Sequence, residues 1–133
     1  MDTCLTNPPT TWPAAASLLD AISRRDFPAL LGCLDPDVQL RALVPRGPLT
    51  VDGAEAVVAT FVRWFGGDDA FEVVDAALGQ VGGRMYARWR VRLWPVGDPA
   101  QARMAEQHVF TSGDDRIRAI DLLCSGFQPA GAA

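Results

Sequence analysis

The sequence predicts an α+β fold, with helices gathered on one side of a curved antiparallel sheet. The order of hydrophobic periodicities carries this reading: two helical stretches, a short strand pair, a third helical stretch, then four strands. The long strand Arg84–Trp94 alternates Met85, Ala87, Trp89, Val91 and Leu93 with Tyr86, Arg88, Arg90, Arg92 and Trp94, as expected of a sheet with one face buried and one wet. A length of 133 residues, 49% hydrophobic and 21% charged, suits one domain with its own core. A bent sheet closed by helices on its concave side makes a cone, and such a cone suits a small-molecule pocket.

Residues 1–9 read as a loose tail, because Asn7-Pro8-Pro9 does not start regular structure. Thr10 or Thr11 can cap a first helix with Pro13 in its opening turn, and Ala15, Leu18, Leu19 and Ile22 share one of its faces. Phe27–Leu34 reads as a short second helix that ends at the turn signal Asp35-Pro36-Asp37. Val38–Val44 and Leu49–Val51 form a strand pair around the prolines 45 and 48. Asp52 is placed to cap a third helix, Ala54–Phe65, which Gly66-Gly67 stop. Strands follow at Phe71–Leu78, Arg84–Trp94, Arg103–Ser112 and Ile117–Ser125. The domain is expected over 10–127, with a second loose tail over 128–133.

Composition narrows the function. Net charge is −4, which disfavours binding of nucleic acid. All twelve basic residues are arginine, so lysine Schiff-base chemistry and a P-loop are excluded. Three scattered cysteines (Cys4, Cys33, Cys124) and a single histidine make neither a disulfide framework nor a zinc motif, and no metal site is expected. No apolar run is long enough to span a membrane, and the first residues lack a basic start and an apolar core of a secretion signal, so a cytoplasmic location is the expectation.

The segment Arg103–Phe110, a turn, and Arg116–Ser125 read as a β-hairpin that concentrates the chemistry. It holds the only histidine, His108, and one of three glutamates, Glu106. With the turn at Gly113-Asp114-Asp115, His108 falls opposite Asp121, so two acids and an imidazole would share one sheet face. An imidazole titrates near neutrality and suits a general base or acid. Asp121 would orient it. Glu106 would act as a second acid–base group, its pKa raised by apolar surroundings.

The pattern Leu18-Leu-Asp-Ala-Ile22 with Asp26-Phe27, then Leu34-Asp-Pro-Asp-Val38, Asp52-Gly-Ala-Glu-Ala56, and Glu106-Gln-His-Val-Phe110 with Arg116-Ile117 resembles the SnoaL-like branch of the NTF2-like superfamily over residues 11–127. The resemblance implies an NTF2-like cone, a curved antiparallel sheet with three helices on its concave side, and a dimer formed through the sheet. Members include polyketide cyclases, ketosteroid isomerases, epoxide hydrolases, dehydratases and proteins without catalytic role. Ala42 stands where ketosteroid isomerases keep their aspartate base, and Ser125 where SnoaL-type cyclases carry an acid. Both departures count against a direct transfer of either mechanism.

Turn-compatible registers place Met104, Glu106, His108 and Phe110, with Ile117, Ala119, Asp121 and Leu123, on the same face as Met85 and Trp89. The catalytic candidates are therefore His108, Asp121 and Glu106. The substrate-binding candidates are Trp89, Phe110, Met85, Val91 and Leu123. A one-residue slip would reverse the assignment. One reading is a cofactor-free enzyme that isomerises, cyclises, dehydrates or opens an epoxide in a small apolar metabolite. The alternative is a non-catalytic ligand-binding or dimerisation module. The arginine face suggests a homodimer through the convex side of the sheet.

Overall fold

A computed structural model describes residues 12–130. The expected N-terminal tail, the threonine cap of the first helix and residues 131–133 lie outside the described residues. Helix α1 (Trp12–Arg24) buries Ala14, Ala15, Leu18, Ala21 and Ile22 on one stripe. It ends at Arg25, a non-glycine residue in the left-handed region (φ 51°). The Arg25 guanidinium donates to the carbonyls of Phe65 at 3.2 Å and Asp69 at 2.9 Å, tying the end of α1 to the far end of the third helix. Helix α2 (Phe27–Cys33) is capped by Asp26, whose carboxylate accepts from the Ala29 N–H at 3.1 Å. Helix α3 (Ala54–Phe65) starts at Gly53 rather than at an Asp52 cap. Gly53 takes φ 94°, which frees the Asp52 carboxylate to accept from Gln39 Nε2 at 3.0 Å instead.

Six strands stand where strands were expected: β1 (Leu34–Val44), β2 (Gly47–Asp52), β3 (Ala70–Val81), β4 (Arg84–Trp94), β5 (Arg103–Gly113) and β6 (Ile117–Cys124), with β1 and β3 longer than the expected Val38–Val44 and Phe71–Leu78. The Asp35–Asp37 turn is a kink inside β1, with the Asp37 N–H on Asp35 Oδ1 at 2.9 Å. A two-residue strand, β7 (Gln128–Pro129), pairs with β5, and the Ala130 N–H bonds the Ala102 carbonyl. Residues 128–130, read as tail from the sequence, are therefore fastened to the sheet.

The strand order is β2-β1-β6-β5-β4-β3. The sheet is mixed rather than wholly antiparallel, because β6 runs parallel to β1. Helix α3 carries the chain across to the far edge, and the meander β3 to β6 returns it beside β1 in the same direction. The three helices cover one face. Leu18, Ile22, Leu30, Val57, Phe61 and Phe65 pack there against Leu40, Trp89, Val91, Val109, Ile120 and Leu122.

The β4 faces fall as expected: Met85, Ala87, Trp89, Val91 and Leu93 are buried. The next strand is turned over. β4 and β5 pair as Met85 with Thr111 and Trp89 with Gln107, so the buried side of β5 is Ala105, Gln107, Val109 and Thr111. The connection between them contains a 3-10 turn at Pro99–Gln101, which the sequence reading had not included. A shift of one residue is enough to exchange the faces of a strand.

Candidate functional site

The overturned register moves the hairpin chemistry to the outer face. Met104, Glu106, His108 and Phe110 lie beside Tyr86, Arg88, Arg90 and Arg92, away from the helices. His108 pairs with Leu123, and Asp121 pairs with Phe110. The expected juxtaposition of His108 and Asp121 is therefore not formed. Two one-residue steps separate them: Gly113 rather than Ser112 pairs with Ile117, and an irregularity follows between Gly113 and Ser112, with Gly113 at φ 149°, where a side chain would run into the Arg116 carbonyl. Leu123, expected to touch a ligand, is 54% exposed on this outer face. Phe110 is half-buried there, its ring centroid 5.2 Å from Tyr86 and beneath the Arg84 guanidinium.

The structure does join His108 to Glu106, with Tyr86 as a third member. Glu106 Oε2 lies 2.6 Å from His108 Nε2, and the Tyr86 hydroxyl 2.7 Å from Nδ1. A carboxylate only accepts, so Nε2–H donates to Glu106 and a neutral ring accepts from Tyr86 at Nδ1. The other Glu106 oxygen takes Arg90 through Nε at 3.0 Å and Nη2 at 2.8 Å. His108 first and Arg90 second hold the Glu106 carboxyl below its usual range, the opposite of the rise expected for an apolar setting. Glu106 also lines a groove of about 430 Å³ with Arg90, Met104, Ser125 and Pro129. Ser125 accepts from the Glu106 N–H and donates to the Gly126 carbonyl.

Asp121 belongs to a separate cluster. Arg41 Nε reaches Oδ1 at 2.7 Å and Arg84 Nη2 reaches Oδ2 at 2.6 Å. Arg41, with Arg84 behind it, holds this carboxyl low against the contrary pull of partial burial. The remaining arginines of β4 find acids on β3, Arg88 with Asp75 and Arg92 with Glu72. Leu43 and Leu123 are cross-strand neighbours and more than half exposed, so this charged face also carries an apolar strip.

The helix-covered face carries a different polar set, which sequence reasoning missed. Among the described residues the buried polar side chains are Thr60, Gln107 and Thr111. The Trp89 indole N–H donates to Gln107 Oε1 at 2.9 Å. Gln107 Nε2 and Thr111 Oγ1 have no hydrogen-bond partner. Thr60 spends its hydroxyl on the Ala56 carbonyl at 3.0 Å. Met85, Trp89 and Val91 lie on this face as expected, and Ala42 sits among the core residues. Cys33 packs in the core as a small apolar residue, and burial pushes its thiol pKa up. The signal for the face swap was the arginine ladder: Arg90 opposite Glu106 and Arg88 opposite His108 make better cross-strand neighbours than Trp89 and Ala87 do.

Among the described residues, no group of three or more His, Cys, Asp or Glu is arranged to hold a metal ion. Among the described residues no helix is long and apolar enough to cross a membrane. A second cleft, of about 620 Å³, opens at the start of α3 between Leu31, Leu34, Ala54, Glu55 and Arg116.

The family model described as SnoaL-like domain matches residues 15–120. No curated protein matches the chain in sequence. Solved structures share its fold at low identity. An LEH-like epoxide hydrolase of M. tuberculosis superposes with a TM-score of 0.66 at 18% identity, covering 87% of this chain and 83% of that one. A candidate polyketide cyclase from Xanthomonas campestris pv. campestris gives 0.65 at 18%, covering 86% and 89%. An NTF2-like protein from Burkholderia xenovorans gives 0.63 at 12%, covering 87% and 89%. At these identities the likeness is one of fold alone.

Proposed function

The chain belongs to the SnoaL-like family, and from that premise we propose that it is a small-molecule-binding module that pairs with a second copy through the outer sheet face. The observation that supports this most is the separation of its polar groups. The imidazole and carboxylates first read as catalytic stand outside, tied into hydrogen bonds and ion pairs, whereas the helix-covered face carries amide and hydroxyl groups that hydrogen-bond without titrating near neutrality. Such a wall can hold and orient a mostly apolar ligand. Trp89, Met85 and Val91 are the apolar contacts of this reading, and no cofactor enters it.

Titration of an uncharged apolar dye such as Nile red, read by fluorescence, tests the proposal. Saturable binding at one dye per chain, unchanged in His108→Gln, is the expected result. Absence of saturable binding would defeat it.

One observation favours the enzyme reading in a displaced form. Glu106 lines the 430 Å³ groove while bonded to His108, so an acid–base pair does border a concave surface. Isomerisation, cyclisation, dehydration or epoxide opening would then occur at the outer face with Tyr86 as the third member. Turnover of an epoxide or enone that is lost in both His108→Gln and Glu106→Gln would establish that reading over the first.

A further inference from the structure

Tyr86 is the only tyrosine of the chain and His108 its only histidine, and the fold brings them together from neighbouring strands. The Tyr86 hydroxyl lies 2.7 Å from His108 Nδ1, and Glu106 Oε2 lies 2.6 Å from Nε2. The carboxylate takes the Nε2 proton, so Nδ1 of the neutral ring is an acceptor and the phenol donates to it. A hydroxyl on an imidazole whose far nitrogen is held by a carboxylate is the arrangement that activates a nucleophile. The imidazole removes the proton as the oxygen attacks, and the carboxylate steadies the cation that forms.

The surroundings leave the phenol oxygen approachable. Tyr86 is half-buried, and the side chains of His108 and Glu106 are 36% and 31% exposed. Cross-strand neighbours share a face. On one side of Tyr86 that neighbour is Phe110, its ring 5.2 Å away between centroids. On the other side it is Gly79 of β3, where a side chain would meet nothing within 4 Å. An incoming group therefore has room beside the ring. Arg84 and Arg88 flank Tyr86 on the same face of β4, held by Asp121 and Asp75. Their guanidinium groups favour the negative charge that develops at an attacked carbonyl. Because both are already paired with acids, an uncharged acyl group suits this face better than a phosphoryl group.

We propose that Tyr86 is a nucleophile that takes an acyl group from a small activated donor, such as a thioester or an acyl-imidazole. His108 is its general base, and Glu106 positions the imidazole. The Tyr86 oxygen bonds to the acyl carbon as the carbon–sulfur or carbon–nitrogen bond breaks with its electron pair. The phenol proton passes to Nδ1 and on to the leaving atom, so His108 ends neutral and no oxidant or reductant is consumed. The product is an O-acyl tyrosine on the outer sheet face. This goes beyond both readings above, since it needs neither a ligand on the helix-covered face nor a second copy.

The test is acetylation of the whole protein by N-acetylimidazole. Protein at nanomolar concentration, below the micromolar range in which pairing is expected, keeps cover by a second copy from deciding the result. The chain has no lysine to compete. Mass spectrometry of the peptide that holds Tyr86 gives the rate, with free N-acetyltyrosinamide in the same solution as the reference. Partial burial alone would make Tyr86 slower than the free compound. A positioned base contributes about 10²–10⁴-fold, so Tyr86 should react at least about 10-fold faster. The rate should fall in deuterium oxide, because a proton moves as the bond forms. In His108→Gln the rate should drop below that of the free compound and the isotope effect should vanish. In Glu106→Gln, where the tautomer is no longer fixed, the rate should lie between the two. The comparison with the free compound and the isotope effect need no variant, so they stand even if a substitution perturbs folding. A Tyr86 rate no greater than that of the free compound, or one unaltered in His108→Gln, would overturn the proposal and leave the binding and pairing readings untouched.

Discussion

His108 and Glu106 stand two residues apart on the outer face of β5, and Nε2 of the one lies 2.6 Å from Oε2 of the other. The contact makes an acid-sensitive clasp. The folded pKa of Glu106 is held below its unfolded value by His108 and Arg90, and that of Asp121 by Arg41 and Arg84. A lowered pKa contributes stability that is present above the unfolded value, about 4, and is lost as pH falls through the folded one. Urea melts from pH 7 to pH 3 should therefore show a declining midpoint below about pH 4. Glu106→Gln and Asp121→Asn should each flatten that decline. The effect of each is expected within the roughly 0–1 kcal/mol of half-exposed ion pairs. A decline unaltered in both variants would contradict the assignment.

Trp89 is fully buried on the helix-covered side of β4, and its indole N–H is bonded. Trp89→Ala should cost about 3–5 kcal/mol, as truncation of a buried aromatic does. Chemical unfolding measures this directly, and a loss under about 1 kcal/mol would be inconsistent with the packing described.

Thr111→Val should stabilise the protein. The hydroxyl has no partner, and valine has nearly the same shape without the polar atom. Relief of an unsatisfied buried group is worth on the order of 1 kcal/mol. A thermal midpoint that drops instead would mean that Thr111 finds a partner in solution.

The exposed pair Leu43 and Leu123 forms the apolar strip of the face through which a second copy is proposed to pair. Light scattering at micromolar concentration should return twice the mass of one chain. Leu123→Asp should return the mass of one chain with unchanged circular dichroism. A single-chain mass for the unaltered protein across that range would exclude the pairing.

Much of the architecture was legible because it depends on composition and period. The apolar alternation of Met85 to Leu93 identified the buried side of β4, and the glycines at 66 and 67 marked the end of α3. The sheet partner of β1 was not legible, because nothing in its sequence states that β6 will lie beside it in parallel. The site was less legible than the fold. Met104 and Phe110 made the Glu106–His108 face look apolar enough to be internal, whereas Gln107 and Thr111 interrupt the face that is truly buried. Local alternation cannot choose between two such faces. The pairing that forms sets Arg90 opposite Glu106 across the strands, after a connection that contains a 3-10 turn.

The one parallel pairing has a consequence for how the chain is made. Arg41 and Asp121, joined across β1 and β6, are 80 residues apart. Until Ile117–Cys124 has left the ribosome, β1 has β2 on one side and an open edge on the other. The six-strand path of the sheet is thus completed only by β6, the last of those strands in chain order, and the closing contact spans 80 residues of sequence. Nascent chains stalled before β6 emerges should remain protease-sensitive and prone to aggregate, and should become resistant only when β6 is released.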